Sequence, residues 1–272
     1  MIKIYFLGTA SGIPTPQRFN TSVVLEASGN IYLFDAGEAC SSLLIRNKID
    51  YRKIRCIFIS HMHTDHISGI FQLIQTLQLS PTNRYSVKEK VINLFVPKEG
   101  IDSLKKMFCA FYLMPEILPF SLELFSISEA YFYKDSLMEV RAIANQHLKK
   151  GCRGREILQK TQTKYPNAFQ SYSFLIKVQK KMILYSGDIS DISELDEFLD
   201  NIDVLILELA HIDFERTIKF LSQQSISKVI FTHLHPKFDD SNKNQLNQFQ
   251  VQIKKYLSDK VTIATDGLVI KV

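Results

Sequence analysis

The chain has 272 residues, 46% of them hydrophobic, which is enough to bury a substantial core in one large domain or two small ones. The net charge of +5 at pH 7 favours anionic partners modestly, and it falls short of the clustered basicity of a dedicated nucleic-acid-binding protein. No signal peptide, membrane-spanning run or C-x-x-C pair is evident, and Cys40 and Cys56 lie in apolar contexts typical of core residues, so the sequence predicts a reduced, cytoplasmic protein without a membrane partner.

The amino-terminal part is predicted to consist of strands joined by turns. Ile2–Leu7 alternates in polarity as a strand does, and it leads into the turn-rich Gly8–Pro16. This loop is not a phosphate-binding P-loop, because no Gly-Lys-Ser/Thr follows it. Thr21–Glu26 and Asn30–Asp35 are predicted to pair as a hairpin.

The stretch from His61 to His66 holds three of the chain's seven histidines and one aspartate. It follows Arg55–Ser60, an apolar run that predicts a buried strand, and precedes Ile67–Leu77, whose apolar residues recur at helical spacing. The segment is therefore predicted to be a strand-to-helix turn at the carboxyl end of a strand, where open α/β sheets usually carry their sites.

The spacing within this stretch predicts metal ligands. In an extended chain His61, His63 and Asp65 project to one side, and His66 turns back toward that side at the start of the helix. Four such ligands on a short segment can contact two metal ions, and imidazole with carboxylate suits zinc, manganese or iron. The alternative is a polar turn with surface histidines. Three histidines in six positions favour the metal site.

The remaining elements are predicted from their periodicity. Pro97–Ala110 and Asn242–Leu257 are predicted helices, and Val261–Val272 is predicted to be a closing hairpin with an Asp266-Gly267 turn. The predicted strands between them are Val91–Val96, Leu122–Ser128, Ala130–Tyr133, Leu137–Asn145, Tyr172–Val178, Lys181–Tyr185, Asp203–Glu208 and Val229–Thr232.

The pattern H-x-H-x-D-H after a buried strand resembles the metallo-β-lactamase superfamily, whose members bind one or two metals between two β-sheets. A strand followed by Gly-Thr and a Pro-containing loop, then Arg18 and Asn20, is similar to the opening of its ribonuclease Z-like branch. The resemblance implies an α/β fold, a four-layer αββα sandwich, with residues 1–272 as a single domain. The weak two-fold alternation of strands and helices also indicates two sheets, each covered by helices.

Three residues at strand ends match the remaining ligands of the superfamily. His147 lies just past a predicted strand, Asp188 follows Ser186-Gly187, and His233 ends the last central strand, with His235 as a geometric alternative. The resemblance implies two metal ions that share one carboxylate. The first ion would be bound by His61, His63 and His147, the second by Asp65, His66 and His233, and both by Asp188.

Catalytic candidates outside this set follow the strand Asp203–Glu208. Ribonuclease Z carries a His-Glu-Ala-Thr motif here whose His is thought to assist catalysis, whereas this chain has Leu207 at that position and His211 three residues after Glu208. We predict that Glu208, His211 and Asp65 are catalytic. Asp65 would orient the nucleophile, and His211 is either a proton donor or a support for the ligands.

Two features have both a structural and a functional interpretation. Asp35 either caps the helix predicted to run to about Arg46 or, like the corresponding superfamily residue, supports the metal-binding loop. The most basic stretch, 148–170, is either a solvated insertion or an arm that steers a polyanion toward His147. It is shorter than the tRNA-binding arm of ribonuclease Z and lacks its Gly/Pro-rich run. Its cations are Lys149, Lys150, Arg153, Arg155, Lys160 and Lys164.

The resemblance implies a hydrolase with two divalent metal ions, zinc first, with manganese or iron as alternatives. Two adjacent cations lower the pKa of a bridging water toward neutrality, which supplies a hydroxide nucleophile, and stabilise charge on a phosphoryl or acyl oxygen. We favour a cyclic or RNA-type phosphodiester, hence an anionic small-molecule or nucleic-acid substrate.

The alternative substrates are thioesters, lactones or other acyl compounds, which the same metal pair can hydrolyse. A di-iron redox enzyme is disfavoured because His63 stands where that branch usually has Glu. A non-catalytic scaffold is disfavoured because all seven ligand positions are retained. Superfamily members often dimerise, so a homodimer is a further expectation.

Overall fold

Two seven-stranded mixed sheets organise the structure. The computed structural model describes residues 1–80, 90–151, 156, 160, 167–238 and 242–272. The chain divides into two compact units, and each contains one of the sheets. The first unit comprises Met1–Gly8, Phe19–Ile127 and Asp266–Val272, and the second comprises Thr9–Arg18 and Ser128–Thr265.

The first sheet is antiparallel at one side and parallel at the other. Its strands are β1 (Ile2–Gly8), β2 (Ser22–Ala27), β3 (Asn30–Phe34), β4 (Ile54–Phe58), β5 (Val91–Val96), β6 (Ser121–Ser126) and β14 (Leu268–Lys271). Their order is β14-β1-β2-β3-β4-β5-β6, antiparallel from β14 to β3 and parallel from β3 to β6. The predicted hairpin of β2 and β3 is confirmed.

Short helices pack on this sheet. They are α1 (Cys40–Arg46), α2 (Thr64–Ile67), α3 (Ile70–Leu79) and α4 (Ile101–Ala110), with 3-10 turns at Tyr51–Lys53, Lys98–Gly100 and Pro115–Ile117. Helix α3 buries Ile70, Leu73, Ile74 and Leu77, which recur at i, i+3, i+4 and i+7 and form one apolar stripe. The helical spacing predicted after the histidine motif is therefore confirmed.

The second sheet has a similar plan. Its strands are β7 (Ala130–Lys134), β8 (Met138–Ala144), β9 (Tyr172–Val178), β10 (Lys181–Tyr185), β11 (Val204–Glu208), β12 (Lys228–Thr232) and β13 (Val261–Ile263). Their order is β13-β12-β11-β10-β9-β8-β7, parallel from β13 to β10 and antiparallel from β10 to β7. Strand β11 is buried at every position, as expected for a central parallel strand.

Among the described residues of the second unit, the helices are α5 (His147–Gly151), α6 (Phe214–Ser222) and α7 (Lys243–Leu257), with 3-10 segments at Ile192–Phe198, Pro236–Phe238 and Ser258–Lys260. Helix α7 confirms the predicted amphipathic helix, since it buries Phe249, Ile253 and Leu257 at a spacing of four residues. Its exposed side chains are polar apart from Val251.

The closing hairpin predicted for Val261–Val272 is wrong. Strand β13 pairs in parallel with β12 in the second sheet, whereas β14 pairs antiparallel with β1 in the first. An isolated two-stranded hairpin is marginally stable in water, and each segment gains more by extending the edge of an existing sheet. The Asp266-Gly267 turn therefore leads from one sheet to the other instead of joining two paired strands.

Three further predictions concern the basic insertion, the cysteines and membrane-spanning helices. Much of the predicted basic insertion, namely 152–155, 157–159 and 161–166, lies outside the described residues. Cys40 and Cys56 are buried and unbridged, as predicted, and burial raises the pKa of the Cys40 thiol to about 12, so it is protonated at neutral pH. Within the described ranges, no helix combines the length and apolar character needed to cross a membrane.

Candidate metal centre

The histidine motif occupies the connection from β4 to α3. His61 and His66 are fully buried, and the Nε2 atom of His61 lies 2.9 Å from the Nδ1 atom of His63. The chain is extended at His63 but becomes helical at Thr64, so the prediction that Asp65 continues the extended segment is wrong. Asp65 lies instead in the first turn of α2, where a carboxylate is favoured by the helix dipole, with Oδ2 3.5 Å from Nε2 of His66.

The Asp35 carboxylate connects two of these histidines. Its Oδ1 accepts a hydrogen bond from the Ser60 backbone N–H at 2.7 Å, and its Oδ2 accepts one from the Ser60 hydroxyl at 2.9 Å. Oδ2 also lies 2.9 Å from Nδ1 of His66, and the Ser60 hydroxyl lies 3.0 Å from Nδ1 of His61. If both rings carry their proton on Nδ1, each Nε2 atom presents a lone pair to a metal ion.

This network decides between the two interpretations of Asp35. The residue at the N-cap of α1 is Ala39, so the capping interpretation is wrong. Asp35 supports the histidine motif, and it does so with a left-handed backbone, φ 56°. A non-glycine residue in that conformation is uncommon and is retained where surrounding contacts determine it.

A glycine-containing loop after β3 packs directly against the motif. The Ala36 N–H donates to the His66 carbonyl at 2.7 Å, and the Gly69 N–H donates to the Ala36 carbonyl at 2.9 Å. A Cβ atom on Gly37 would overlap the Asp65 carbonyl oxygen. Glycine is therefore required at position 37 because the two backbones approach closely.

In the second unit, Asp188 is the centre of a histidine cluster. Its Oδ1 lies 3.2 Å from Nε2 of His233, and its Oδ2 lies 3.4 Å from Nε2 of His147 and 3.2 Å from Nε2 of His211. Asp188, His147 and His233 are buried, whereas the His211 side chain is 46% exposed. The ends of β8, β10, β11 and β12 therefore bring together four sequence-predicted residues.

Glu208 is a buried neighbour of His233 in this cluster. Its Oε1 accepts a hydrogen bond from the Tyr185 hydroxyl at 2.6 Å, and its Oε2 lies 4.0 Å from Nδ1 of His233. The Ser186 hydroxyl accepts a hydrogen bond from the Glu208 backbone N–H at 2.9 Å. Tyr185, Ser186 and, in the first unit, Ser60 were not predicted from the sequence. In the sequence, they are marked only by their position next to a candidate ligand motif or within one.

The loop that carries His233 is held by a buried arginine. His233 adopts a left-handed backbone, φ 52°, and the next residue, Leu234, donates its N–H to the Thr9 carbonyl at 3.1 Å. The Arg18 guanidinium donates through Nη1 to the Thr9 hydroxyl at 2.7 Å and to the Ala264 carbonyl at 2.6 Å.

His235, the alternative to His233, has a different environment. It is exposed, and its Nδ1 accepts a hydrogen bond from the Lys237 backbone N–H at 3.1 Å. Partial desolvation, followed by the charges of Lys237 and His211, lowers the pKa of His235 below its usual value. His233 is the residue that approaches Asp188.

The donor sets fit divalent cations. In the second unit, ligand atoms of Asp188, Glu208 and His233 lie within 4.8 Å of one another, and all three residues are buried. In the first unit, His61 and His63 offer ligand atoms within the same distance. Burial of carboxylates is costly unless they are paired or coordinate metal, and imidazole with carboxylate is a common ligand set for such ions.

Comparisons with known proteins place the chain among metal-dependent hydrolases of related sequence and fold. The family model described as Anti-Pycsar protein Apyc1 matches residues 2–254. The chain is 28% identical to ribonuclease Z from Methanococcus aeolicus over an alignment of 296 positions, gaps included. The alignment covers 93% of this chain and 90% of that protein.

Two solved structures share the fold. The metallo-β-lactamase fold protein YhfI from Bacillus subtilis aligns with a TM-score of 0.76 at 17% identity, covering 99% of this chain and 98% of that one. The short form of human tRNase Z aligns with a TM-score of 0.72 at 20% identity, with coverage of 99% and 98%. The predicted α/β fold, an αββα sandwich of metallo-β-lactamase type, is confirmed by these likenesses.

Proposed function

Because this chain belongs to the Anti-Pycsar Apyc1 family, we propose that it is a metal-dependent phosphodiesterase that hydrolyses a cyclic or RNA-type phosphodiester. The observation that carries the proposal is the buried Asp188 carboxylate, which lies within 3.4 Å of three imidazole nitrogens. Ribonuclease Z and tRNase Z, to which the chain is similar, are named for cleavage of RNA, a phosphodiester polymer.

The metal ligands are proposed as the sequence predicts them. Asp188 would be shared by both ions, and six further residues would complete the two sets. They are His61, His63 and His147 for one ion and Asp65, His66 and His233 for the other. When bound, two adjacent divalent ions lower the pKa of a shared water toward neutrality and offset negative charge on the phosphoryl oxygens. Zinc is the first choice of ion, with manganese or iron as alternatives.

The protein's own groups orient these ligands and move the proton. Asp35 fixes the ring orientation of His66 directly and that of His61 through Ser60. Glu208, predicted from the sequence to be catalytic, is proposed to act by orienting His233, since its Oε1 is bonded to Tyr185 and its Oε2 lies 4.0 Å from Nδ1 of His233. His211 contacts Asp188 and is also exposed, so it can give a proton to the leaving oxygen of the substrate.

The proposal also covers the role of Asp65, the substrate and the location of the protein. Asp65 is proposed to orient the attacking water in addition to binding metal. The substrate is an anionic small molecule or a nucleic acid, which the net charge of +5 favours. The cytoplasmic location and the homodimer expected from the sequence remain predictions.

Substitution of Asp188 tests the proposal. In Asp188→Ala, three imidazoles lose the carboxylate that they share, so the protein should bind less metal, as measured by mass spectrometry. Its hydrolysis of bis(p-nitrophenyl) phosphate with zinc or manganese should fall by roughly 100-fold or more. Glu197→Ala, which removes an exposed carboxylate from the same unit, is the matched control and should leave both unchanged.

Two outcomes would contradict the proposal. The first is an Asp188→Ala protein that keeps its metal content and activity. The second is a wild-type protein that hydrolyses a thioester or lactone panel but no phosphodiester with any metal, which would favour the acyl hydrolase instead.

A further inference from the structure

Two ligands proposed for the same ion, His147 and Asp188, lie on separate loops of the second unit. His147 follows β8, and Asp188 follows β10. Nε2 of His147 lies 3.4 Å from Oδ2 of Asp188. Metal ligands act only when their positions are held closely, so whatever joins the two loops also sets the spacing of these two side chains.

The Glu194 carboxylate bonds to both loops. Its Oε2 accepts a hydrogen bond at 2.7 Å from the backbone N–H of Gln146, on the loop after β8. Its Oε1 accepts hydrogen bonds at 3.1 Å from the backbone N–H groups of Ser190 and Asp191, on the loop after β10. Hydrogen bonds to an ionised acceptor are stronger than neutral ones, so this one side chain connects the two loops firmly.

Helix capping accounts for only one of the two carboxylate oxygens. Glu194 is the N3 residue of a capping box whose N-cap is Asp191, at the start of the 3-10 segment Ile192–Phe198. A capping box needs one side-chain oxygen to accept the N-cap N–H, and Oε1 does so here. Oε2 bonds instead to Gln146, 48 residues earlier in the chain. Capping therefore does not explain the bond to the His147 loop.

The His147 loop is also held by the buried Asn145. The Asn145 Oδ1 accepts hydrogen bonds from the His147 backbone N–H at 3.2 Å and from the Ser171 hydroxyl at 2.6 Å. The Asn145 backbone N–H donates to the Ser171 carbonyl at 2.9 Å. These bonds fix the loop against the chain just before β9, whereas the bond to Glu194 fixes it against the loop that carries Asp188.

We propose that Glu194 is a positioning residue for metal binding, because it holds the His147 loop against the Asp188 loop so that both side chains meet one ion. The inference rests on the proposed function and adds to it a residue outside the ligand set. Its effect is larger for the ion that His147 would bind, since the other ion keeps its own three ligands.

Glu194→Gln separates the two roles of the carboxylate. Glutamine also serves as the N3 residue of a capping box, and its carbonyl oxygen can accept the N–H groups of Ser190 and Asp191. Its NH₂ group only donates, so it cannot accept the Gln146 N–H. With excess zinc, the urea midpoint should stay close to that of wild type. Zinc affinity, measured by competition with a chromophoric chelator, should fall about tenfold at one of the two sites.

Glu194→Ala removes both roles at once. Zinc affinity at the same site should fall by about 10- to 100-fold, and the urea midpoint should drop as well. Cobalt in place of zinc gives a second measurement, because its visible absorption depends on ligand geometry, and the bands of one of two bound equivalents should change in both variants. Glu197→Gln, which alters an exposed glutamate of the same 3-10 segment, is the matched control and should bind both metals as wild type does.

The outcomes distinguish this inference from the proposed function. Zinc affinities in Glu194→Gln that equal those of Glu197→Gln at both sites would overturn the inference and leave Glu194 as a capping residue. Equal weakening of both sites would also overturn it. In either case, hydrolysis of bis(p-nitrophenyl) phosphate by wild type still supports the proposed function. A wild-type protein that hydrolyses no phosphodiester, yet loses zinc affinity at one site in Glu194→Gln, would support the positioning role and remove the proposed function.

Discussion

At the scale of single residues, Asp35 does the most for the proposed metal ligands, because one buried carboxylate orients His66 directly and His61 through Ser60. Asp35→Asn keeps the size of the side chain but removes its charge and one acceptor. We expect zinc affinity to fall by about 10- to 100-fold, with activity at limiting zinc falling in parallel. Competition with a chromophoric chelator measures the affinity.

The matched control for Asp35 is Asp102→Asn, which changes an exposed aspartate in the first turn of α4. It should bind zinc as wild type does. Unchanged zinc affinity in Asp35→Asn, with a native circular dichroism spectrum, would show that orientation of His66 by Asp35 is not needed for binding.

Residue types and spacing were sufficient to select the candidate ligands but not their supports. His61, His63 and His66 stand out in six consecutive positions, and a polar residue at a strand end is visible in the sequence. The contact between Tyr185 and Glu208 is not, because it depends on the parallel register of β10 with β11 across 23 residues of chain. The role of Asp35 was ambiguous for the same reason. In the sequence, an aspartate at the end of a strand looks the same whether it caps a helix or bonds to a distant histidine.

At the scale of elements, the loop Thr9–Arg18 stabilises the end of β12. Arg18 is 2% exposed and bonds to Thr9 and to Ala264, while Thr9 in turn accepts the N–H of Leu234. Arg18→Lys keeps the charge but loses the planar arrangement of donors. We expect a loss of about 1–3 kcal/mol in the free energy of unfolding, measured by urea denaturation, and weaker metal retention at His233.

Arg55→Lys is the control for Arg18, since Arg55 is an exposed arginine on β4. Its free energy of unfolding and its metal content should match those of wild type. If Arg18→Lys is destabilised but retains metal as wild type does, the arginine stabilises the loop without positioning His233.

The boundaries of most elements follow from local pattern, whereas the pairing of the last strands does not. The apolar alternation of Val261–Ile263 and Leu268–Lys271 identifies two strands, and the Asp-Gly between them is typical of a hairpin turn. Their true partners, β12 and β1, lie far away in the sequence. Short-range signals carry no information about such pairings, so the closing hairpin was predicted where the chain changes sheets.

At the scale of the whole molecule, the two sheets share a plan in which antiparallel strands lie at one side and parallel strands at the other. The αββα sandwich was predicted because one histidine motif resembles that of the metallo-β-lactamase superfamily. The periodicity of strands and helices alone indicated only that there are two sheets. A rare, chemically specific motif identifies a superfamily, while alternation of strands and helices is common to many α/β folds.

Metal binding should contribute to the stability of the whole protein. The proposed ligands extend from His61 to His233, so an unfolded chain disperses them and binds metal poorly. A ligand that binds only the native state at 1,000 times its Kd stabilises it by about 4.1 kcal/mol. Chelation with EDTA should therefore lower the thermal midpoint by several degrees in a scanning fluorimetry experiment, and added zinc should restore it. Asp188→Ala, which lacks the shared carboxylate, should show little response to either reagent. A wild-type midpoint that is insensitive to chelation, in a protein confirmed to have lost its metal, would mean that the folded state forms its ligand sets without any contribution from the ions.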